Sequence, residues 1–296
     1  MNDATYARGA GTVDRLVERV DALGTPACVG IDPVLERLPR ELQGVSPADA
    51  IERFSIGIID AVAGIAPVVK PQAAMFERYA SAGWRALERV IEHARRSGLV
   101  VILDAKRGDI GSTSEHYAAA VSAIGADWVT LSPYLGASGI EPFIDAGLGV
   151  FLLVRTSNPD SDELQEARLE GGESVAERVA QMVARLGERS RGVSGLSSVG
   201  AVVGATKAGD AGSRLRARMP DQMFLVPGVG AQGGSIADVR TMVRAHASSA
   251  GMLGVVVNAS RSVIYPSDLD SSGAGWRDAI ARAARSFADE LRAGLG

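Results

Sequence analysis

Cysteine, histidine and long apolar runs are scarce in this sequence, and each shortage excludes a class of protein. Cys28 is the only cysteine among 296 residues, so no internal disulfide can form, which fits a reducing compartment. His93, His116 and His246 lack metal-ligand spacing, which argues against a histidine metal site. No apolar run approaches the ~20 residues that span a bilayer, and the first residues lack the apolar core of a signal peptide. We therefore expect a cytoplasmic protein with no membrane partner.

A surplus of basic residues is absent as well. The chain has 31 Lys and Arg residues against 35 Asp and Glu residues, a formal net charge of −4, so nucleic acid is not an expected partner. A content of 46% apolar residues supplies ample core for one large domain or two small ones. Because no linker or proline-rich hinge divides the chain, we expect one domain over residues 1–296, with residues 1–24 as a helical N-terminal extension.

Short apolar runs alternate with longer amphipathic stretches along the chain. The apolar runs are continuous and rich in Val, Ile and Leu, which is typical of parallel strands buried on both faces. The predicted strands are residues 26–32, 66–70, 99–104, 127–132, 149–154, 199–204, 222–226 and 252–258. The predicted helices are residues 11–23, 48–64, 77–97, 112–124, 137–146, 173–190, 208–218, 235–247 and 274–293.

Eight strand–helix pairs predict an α/β protein with the (β/α)8 TIM barrel fold, which typically needs ~250 residues. A doubly wound open sheet is the alternative, but eight regular repeats of one unit favour closure. One further predicted helix, residues 11–23, precedes the first strand and is not part of these eight pairs. The segment 157–174 is the longest acidic non-strand segment that follows a predicted strand. We interpret it as a mobile loop, with room for a helical turn, on the active face of the barrel.

Charged side chains follow the first three predicted strands. They are Asp32, Lys70, Asp104, Lys106 and, in a glycine-containing turn just beyond, Asp109. Asp104 and Lys106 point the same way because alternate residues of a strand share a face. Salt bridges that close the barrel mouth would explain any one of these residues. The set of five is better explained as a catalytic array, because charges at buried strand ends are costly to desolvate and barrel active sites lie there.

The last two predicted strands carry a different signal. The glycine-rich segment 228–234 follows the seventh strand, and Arg261 follows the eighth. Glycine-rich turns before a helix bind anions through backbone N–H groups, and a guanidinium binds phosphate in a bidentate manner. Because barrels frequently bind phosphate with these two loops, we predict a phosphorylated small-molecule substrate. Segments 157–172 and 228–234 are the candidate lids.

Residues 104–113, DAKRGDIGST, resemble the signature of orotidine 5′-phosphate decarboxylases, in the longer bacterial subgroup known as type 2. The resemblance extends over residues 25–285, and further matching stretches occur in the family's order. These stretches are 30–33 (GIDP), 69–72 (VKPQ), 132–136 (SPYLG), 156–159 (TSNP), 203–206 (VGAT), 227–234 (PGVGAQGG) and 258–262 (NASRS).

The resemblance implies a lyase that converts orotidine 5′-phosphate to uridine 5′-phosphate in pyrimidine biosynthesis, without metal or organic cofactor. In such an enzyme Lys106 protonates C6 of the pyrimidine, and Asp104 lies beside the departing carboxylate. Lys70 and Asp109 complete an alternating Lys-Asp-Lys-Asp array.

The resemblance also implies a nucleotide-binding site that two subunits share. Asp32 and Lys70 would bind the ribose hydroxyls, and Ser132 would read the amide edge of the pyrimidine. Asp109 and Thr113 would reach into the neighbouring subunit's site, which predicts a homodimer. The implied substrate-binding residues are Asp32, Thr113, Ser132, Gln232, Gly233 and Arg261, of which Gln232 and Arg261 would hold the 5′-phosphate.

Three other functions stay open from the residues. A Mg²⁺-dependent decarboxylase of sugar-acid phosphates shares the Asp-x-Lys-x-x-Asp spacing, although Arg107-Gly108 and the Ser132-Pro133 stretch favour the nucleotide enzyme. A Schiff-base aldolase would need a neutral lysine, whereas neighbouring acids keep lysines charged. A barrel that binds sugar phosphates without catalysis is the third.

Overall fold

Eight parallel strands close into a barrel in the order of the chain, and β8 pairs with β1. The computed structural model describes residues 10–207, 209–230, 233–269 and 275–296. The strands are β1 Ala27–Ile31, β2 Val68–Pro71, β3 Val100–Arg107, β4 Trp128–Leu131, β5 Gly149–Arg155, β6 Ser197–Val203, β7 Gln222–Pro227 and β8 Val255–Ala259. All eight predicted strands are confirmed, and the open-sheet alternative is excluded.

Helices precede β1, connect the successive strands and follow β8. They are α1 Ala10–Leu23, α2 Pro47–Val62, α3 Ala73–Glu77, α4 Ala80–Arg96, α5 Gly111–Ala123, α6 Glu141–Asp145, α7 Asp162–Gln165, α8 Val175–Gly187, α9 Gly209–Arg218, α10 Ile236–Arg240, α11 Arg261–Ile264 and α12 Trp276–Leu295. None of these described helices has the length and apolarity needed to cross a membrane. The arrangement is that of a (β/α)8 TIM barrel.

Two helices differ from the sequence-based expectation. The helix predicted for 137–146 is a 3₁₀ turn over Ala137–Gly139 followed by the short α6. The helix predicted for 235–247 ends at Arg240, and the Thr241 hydroxyl donates to the Asp238 carbonyl at 2.7 Å beside its last turn. Side-chain bonds of this kind compete with helix propagation, and hydrophobic periodicity does not report them.

The barrel interior is packed by side chains that alternate with those facing the helices. Trp128 and Phe151 stack inside it with ring centroids 4.6 Å apart. Gly149 makes room for this stack, since a Cβ atom there would lie 2.2 Å from the Trp128 ring. The interior is therefore a close-packed core below the level of the strand ends.

Helix α1 covers the amino end of the barrel. Leu16 on this helix is fully buried and belongs to the same apolar cluster as the barrel interior. Polar contacts fix the helix: Arg15 bonds the Asp127 carboxylate at 2.5 Å, and Asp14 accepts the Val193 N–H at 2.9 Å. Because α1 closes this end, the carboxyl ends of the strands form the accessible face.

Arg216 on α9 is buried, although it belongs to the arginine-rich stretch 214–218, whose sequence is typical of a solvated helix face. Its side chain is only 8% exposed, and its guanidinium lies 3.7 Å from the centroid of the Phe224 ring. It donates hydrogen bonds of 2.7–2.8 Å to the carbonyls of Met219, Gln222, Met242 and Gly254. Arg216 thus ties α9 to the loops that precede β7 and β8.

We expect Arg216→Ala to lower the melting temperature by roughly 5–10 °C, because four carbonyls each lose a buried hydrogen bond from the guanidinium. Arg214→Ala is the matched control, since Arg214 lies on the same helix and is half exposed. Differential scanning calorimetry of both variants measures the effect. An equal drop in melting temperature in the two variants would show that the buried hydrogen bonds of Arg216 contribute no stability of their own.

Candidate active site

Three charged side chains meet at the carboxyl ends of β2 and β3. Lys70 Nζ lies 2.9 Å from Asp104 Oδ2, and Lys106 Nζ lies 2.5 Å from Asp104 Oδ1. The structure thus brings together three of the predicted array residues, with one carboxylate between two ammonium groups. Such a pair of contacts holds both ammonium groups in fixed directions.

Burial separates the roles of the two lysines. Lys70 and Asp104 are 5% and 7% exposed, whereas the Lys106 side chain is 48% exposed at the open end of the barrel. Burial alone would raise the pKa of the Asp104 carboxyl, but Lys70 and Lys106 outweigh it and hold this pKa well below its ordinary value. Burial would lower the pKa of Lys70, but Asp104 and Asp32 raise it above its ordinary value. Both buried groups are therefore ionised at neutral pH.

Asp32 follows β1 on the same face of the barrel. Its Oδ1 atom is buried and has no hydrogen-bond partner among the described residues. A buried acceptor without a donor is uncommon in proteins, and a hydroxyl group of a bound ligand would satisfy it. Asp32 also contributes to the raised pKa of Lys70.

Two further residues, neither of which has a role predicted from the sequence, complete the surroundings of Asp104. The Thr130 hydroxyl donates to Oδ1 at 2.9 Å, and Gln72 Nε2 donates to Oδ2 at 3.2 Å. With Lys106 on Oδ1 and Lys70 on Oδ2, each carboxylate oxygen accepts two hydrogen bonds. This is the full acceptor capacity of a carboxylate. A polar residue inside a strand predicted to be buried on both faces is the signal that could have identified Thr130.

Asp109 does not join this cluster within its own chain. Its Oδ1 accepts the Ile110 N–H at 2.9 Å, and its carbonyl accepts the Ser114 hydroxyl at 2.7 Å. In the part of the chain that the structure describes, Asp109 forms no ion pair. Thr113 is exposed on the first turn of α5. Both residues therefore lie on the outer surface beside the site.

Ser132 lies at the mouth of the barrel, directly after β4. Its N–H donates to the Arg107 carbonyl at 2.7 Å, so it sits beside the end of β3. A Cβ atom at Gly108 would lie 3.2 Å from Ser132 Cβ, which shows how closely the two loops approach. Ser132 is half-buried at this position.

The glycine-rich loop after β7 and the start of α11 are neighbours. Gly233 donates to the Gly230 carbonyl at 2.8 Å with φ at +88°, so the loop folds back on itself. A Cβ atom at Gly230 would lie 3.8 Å from the Ser262 hydroxyl. Arg261 is exposed as the first residue of α11. Gln232, predicted to bind phosphate, lies outside the described residues.

The acidic segment after β5 is tethered by Arg155. This buried side chain donates to Ser161 Oγ at 3.0 Å and to Asp162 Oδ1 at 2.6 Å. Lys207 after β6 bonds the same carboxylate at 2.8 Å. These contacts lower the pKa of Asp162 to about 2, and the hydrogen bond from Lys207 has the largest effect. The helical turn expected in this segment is present as α7, held between the ends of two strands.

No group of three or more His, Cys, Asp or Glu side chains within the described ranges is arranged to hold a metal ion. The array is instead built from alternating positive and negative groups. This arrangement can bind an anionic substrate, stabilise negative charge beside Lys106 and supply a proton from its ammonium group.

Comparison with known proteins gives matches over nearly the whole chain. The sequence profile described as "Orotidine 5'-phosphate decarboxylase / HUMPS family" matches residues 25–271. The orotidine 5′-phosphate decarboxylase of Rhodopirellula baltica is 40% identical, over 91% of this chain and 95% of its own length. That of Roseiflexus castenholzii is 45% identical, over 90% and 92%. The solved structure of Leishmania donovani OMP decarboxylase superposes with a TM-score of 0.76 at 33% identity, covering 96% of this chain and 98% of the other.

Proposed function

We infer the activity from one premise: the chain belongs to the orotidine 5′-phosphate decarboxylase / HUMPS family. It is a carboxy-lyase that converts orotidine 5′-phosphate to uridine 5′-phosphate in pyrimidine biosynthesis. Curated relatives with that name are 36–45% identical to this chain, which favours the nucleotide over a sugar-acid phosphate as substrate. The observation that carries the assignment is the cluster of Lys70, Asp104 and Lys106 at the open end of the barrel.

Lys106 is the proton donor in this proposal. Cleavage of the bond between C6 and the carboxylate leaves the electron pair on C6, and CO₂ departs. The Lys106 ammonium, held by Asp104 at 2.5 Å, stabilises the developing charge and then transfers its proton to C6. The resulting neutral amine regains a proton from solvent, since the side chain is 48% exposed.

Asp104 contributes as a fixed negative charge. Its pKa is held well below the ordinary value, so it stays ionised beside the substrate carboxylate. Repulsion between the two anions raises the free energy of the bound substrate and is relieved when neutral CO₂ forms. Binding energy from distant parts of the nucleotide offsets this cost.

The other predicted residues bind the remaining groups of the nucleotide. Asp32, with its unpaired buried oxygen, and Lys70 bind the ribose hydroxyls, while Ser132 contacts the amide edge of the pyrimidine. The 5′-phosphate binds between the 228–234 loop, which includes Gln232 and Gly233, and Arg261. Phosphate binding then favours closure of this loop and of segment 157–172 over the site.

The active unit is a homodimer with shared sites. Apolar side chains are exposed next to Asp109 and Thr113, where a partner subunit would cover them. These side chains are Ile110, Tyr117, Tyr134 and Leu135, and Tyr134 is 82% exposed. The surface supports the proposal that Asp109 and Thr113 reach into the partner's array.

A spectrophotometric assay tests the proposed function. The purified chain with orotidine 5′-phosphate in excess EDTA should show full loss of the orotate absorbance. Activity that requires added Mg²⁺ would indicate the metal-dependent decarboxylase instead. Binding without an absorbance change would indicate a barrel that only holds sugar phosphates.

We expect Arg261→Ala to raise KM by about 10- to 100-fold with a smaller change in kcat, because a bidentate contact to the phosphate is lost. Arg285→Ala, at an exposed arginine on α12, is the matched control. Steady-state kinetics of the two variants measure the difference. An unchanged KM in Arg261→Ala would place the phosphate elsewhere.

A further inference from the structure

Thr130 lies opposite an irregular part of β3. Leu103 pairs with Val129 and Arg107 pairs with Leu131, so one residue of β4 faces three residues of β3. Those three residues are Asp104, Ala105 and Lys106. The extra length forms a bulge, which bends a strand and redirects its side chains.

The Thr130 hydroxyl contacts all three residues of the bulge. It accepts the N–H groups of Ala105 at 3.1 Å and of Lys106 at 2.9 Å, and it donates to Asp104 Oδ1 at 2.9 Å. The side chain is 1% exposed, so water does not replace these bonds. A hydroxyl has one hydrogen and two acceptor sites. Because both acceptor sites are taken by backbone N–H groups, its hydrogen is directed to the carboxylate.

Lys106 needs this support because its backbone is strained. Its φ is +46°, in the left-handed region that side chains other than glycine rarely adopt. Such a conformation persists only where its surroundings enforce it, and it concentrates at functional sites. The bond from the Lys106 N–H to Thr130 holds the residue in that conformation, which directs its ammonium to Asp104.

We propose that Thr130 is a positioning residue for the decarboxylation, fixing the Lys106 backbone and the Asp104 carboxylate through one hydroxyl group. The inference rests on the proposed function, since it assigns Thr130 a part in that reaction. Thr130 need not touch the nucleotide. Its loss should therefore affect the chemical step more than substrate binding.

Thr130→Val and Thr130→Ala remove the hydroxyl, whereas Thr130→Ser keeps it. We expect kcat to fall by about 10- to 100-fold in the Val and Ala variants. KM and the affinity for the product, uridine 5′-phosphate (UMP), should stay within about threefold of wild type. The Ser variant should recover most of kcat. Thr25→Val is the matched control: among the described residues, its buried hydroxyl donates to the Ala288 carbonyl, outside the array, so kcat should not change.

The experiment separates this proposal from the proposed function, because all variants are compared with a wild-type enzyme that must first decarboxylate orotidine 5′-phosphate. If the Val variant does not fold, the Ala and Ser variants carry the comparison. A kcat within threefold of wild type in the hydroxyl-free variants would overturn the role of Thr130. An equal loss of kcat in the Ser variant would overturn it as well, and so would a rise in KM without a fall in kcat in the Val and Ala variants.

Discussion

Replacing Lys106 with alanine is expected to lower kcat by at least about 10⁴-fold, because the change removes both the proton donor and the charge that stabilises the carbanion. UMP binding should stay measurable, because the ribose and phosphate contacts do not use this side chain. Stopped-flow or long-incubation assays give kcat, and calorimetric titration gives the affinity for UMP.

The Lys106→Arg variant separates the contribution of the donated proton from that of the positive charge. Arginine keeps a positive charge at this position but does not release its proton in proteins, so this variant should be almost as inactive as the alanine variant. The chain has only three lysines, and two of them, Lys70 and Lys106, contact Asp104. Turnover of either variant above about a hundredth of wild type would refute Lys106 as the proton donor.

Mixing two inactive variants should restore activity if the sites are shared. Asp109→Ala subunits keep Lys70, and Lys70→Ala subunits keep Asp109. In a mixed dimer one of the two sites therefore has both groups intact. An equimolar mixture at exchange equilibrium should recover about a quarter of wild-type activity, since half of the dimers are mixed and each has one complete site.

Subunit exchange must be verified independently, for example by native mass spectrometry of subunits of different mass. Full exchange without recovered activity would contradict the shared site, and it would place Asp109 in a structural role within its own chain. The hydrogen bond from the Ile110 N–H to the Asp109 carboxylate would then be its whole contribution.

The barrel was predictable because its signal is repeated along the chain. Each strand is a continuous apolar run, as burial on both faces requires, and eight such runs alternate with amphipathic helices. The charges at the carboxyl ends of β1, β2 and β3 could also be predicted, since a barrel gathers the carboxyl ends of its strands at one face.

Contacts between residues that are distant in the sequence could not be predicted from it in the same way. Alternation along a strand correctly placed Asp104 and Lys106 together, but β3 is bulged there and Lys106 has a left-handed backbone. The partner that allows this, Thr130, is 24 residues away from Lys106 in sequence. Arg216 lies in an arginine-rich stretch typical of a solvated helix face, yet it is buried because it bonds carbonyls at and before the start of β7 and before β8. Sequence periodicity reports neither kind of contact.

A crystal structure with bound UMP measures the central geometry most directly. We expect Lys106 Nζ to lie about 3–3.5 Å from C6 of the uracil ring, the range of a near-attack contact, with Asp104 still between the two lysines. A Lys106 ammonium turned away from the ring, or farther than about 5 Å from C6, would contradict this expectation.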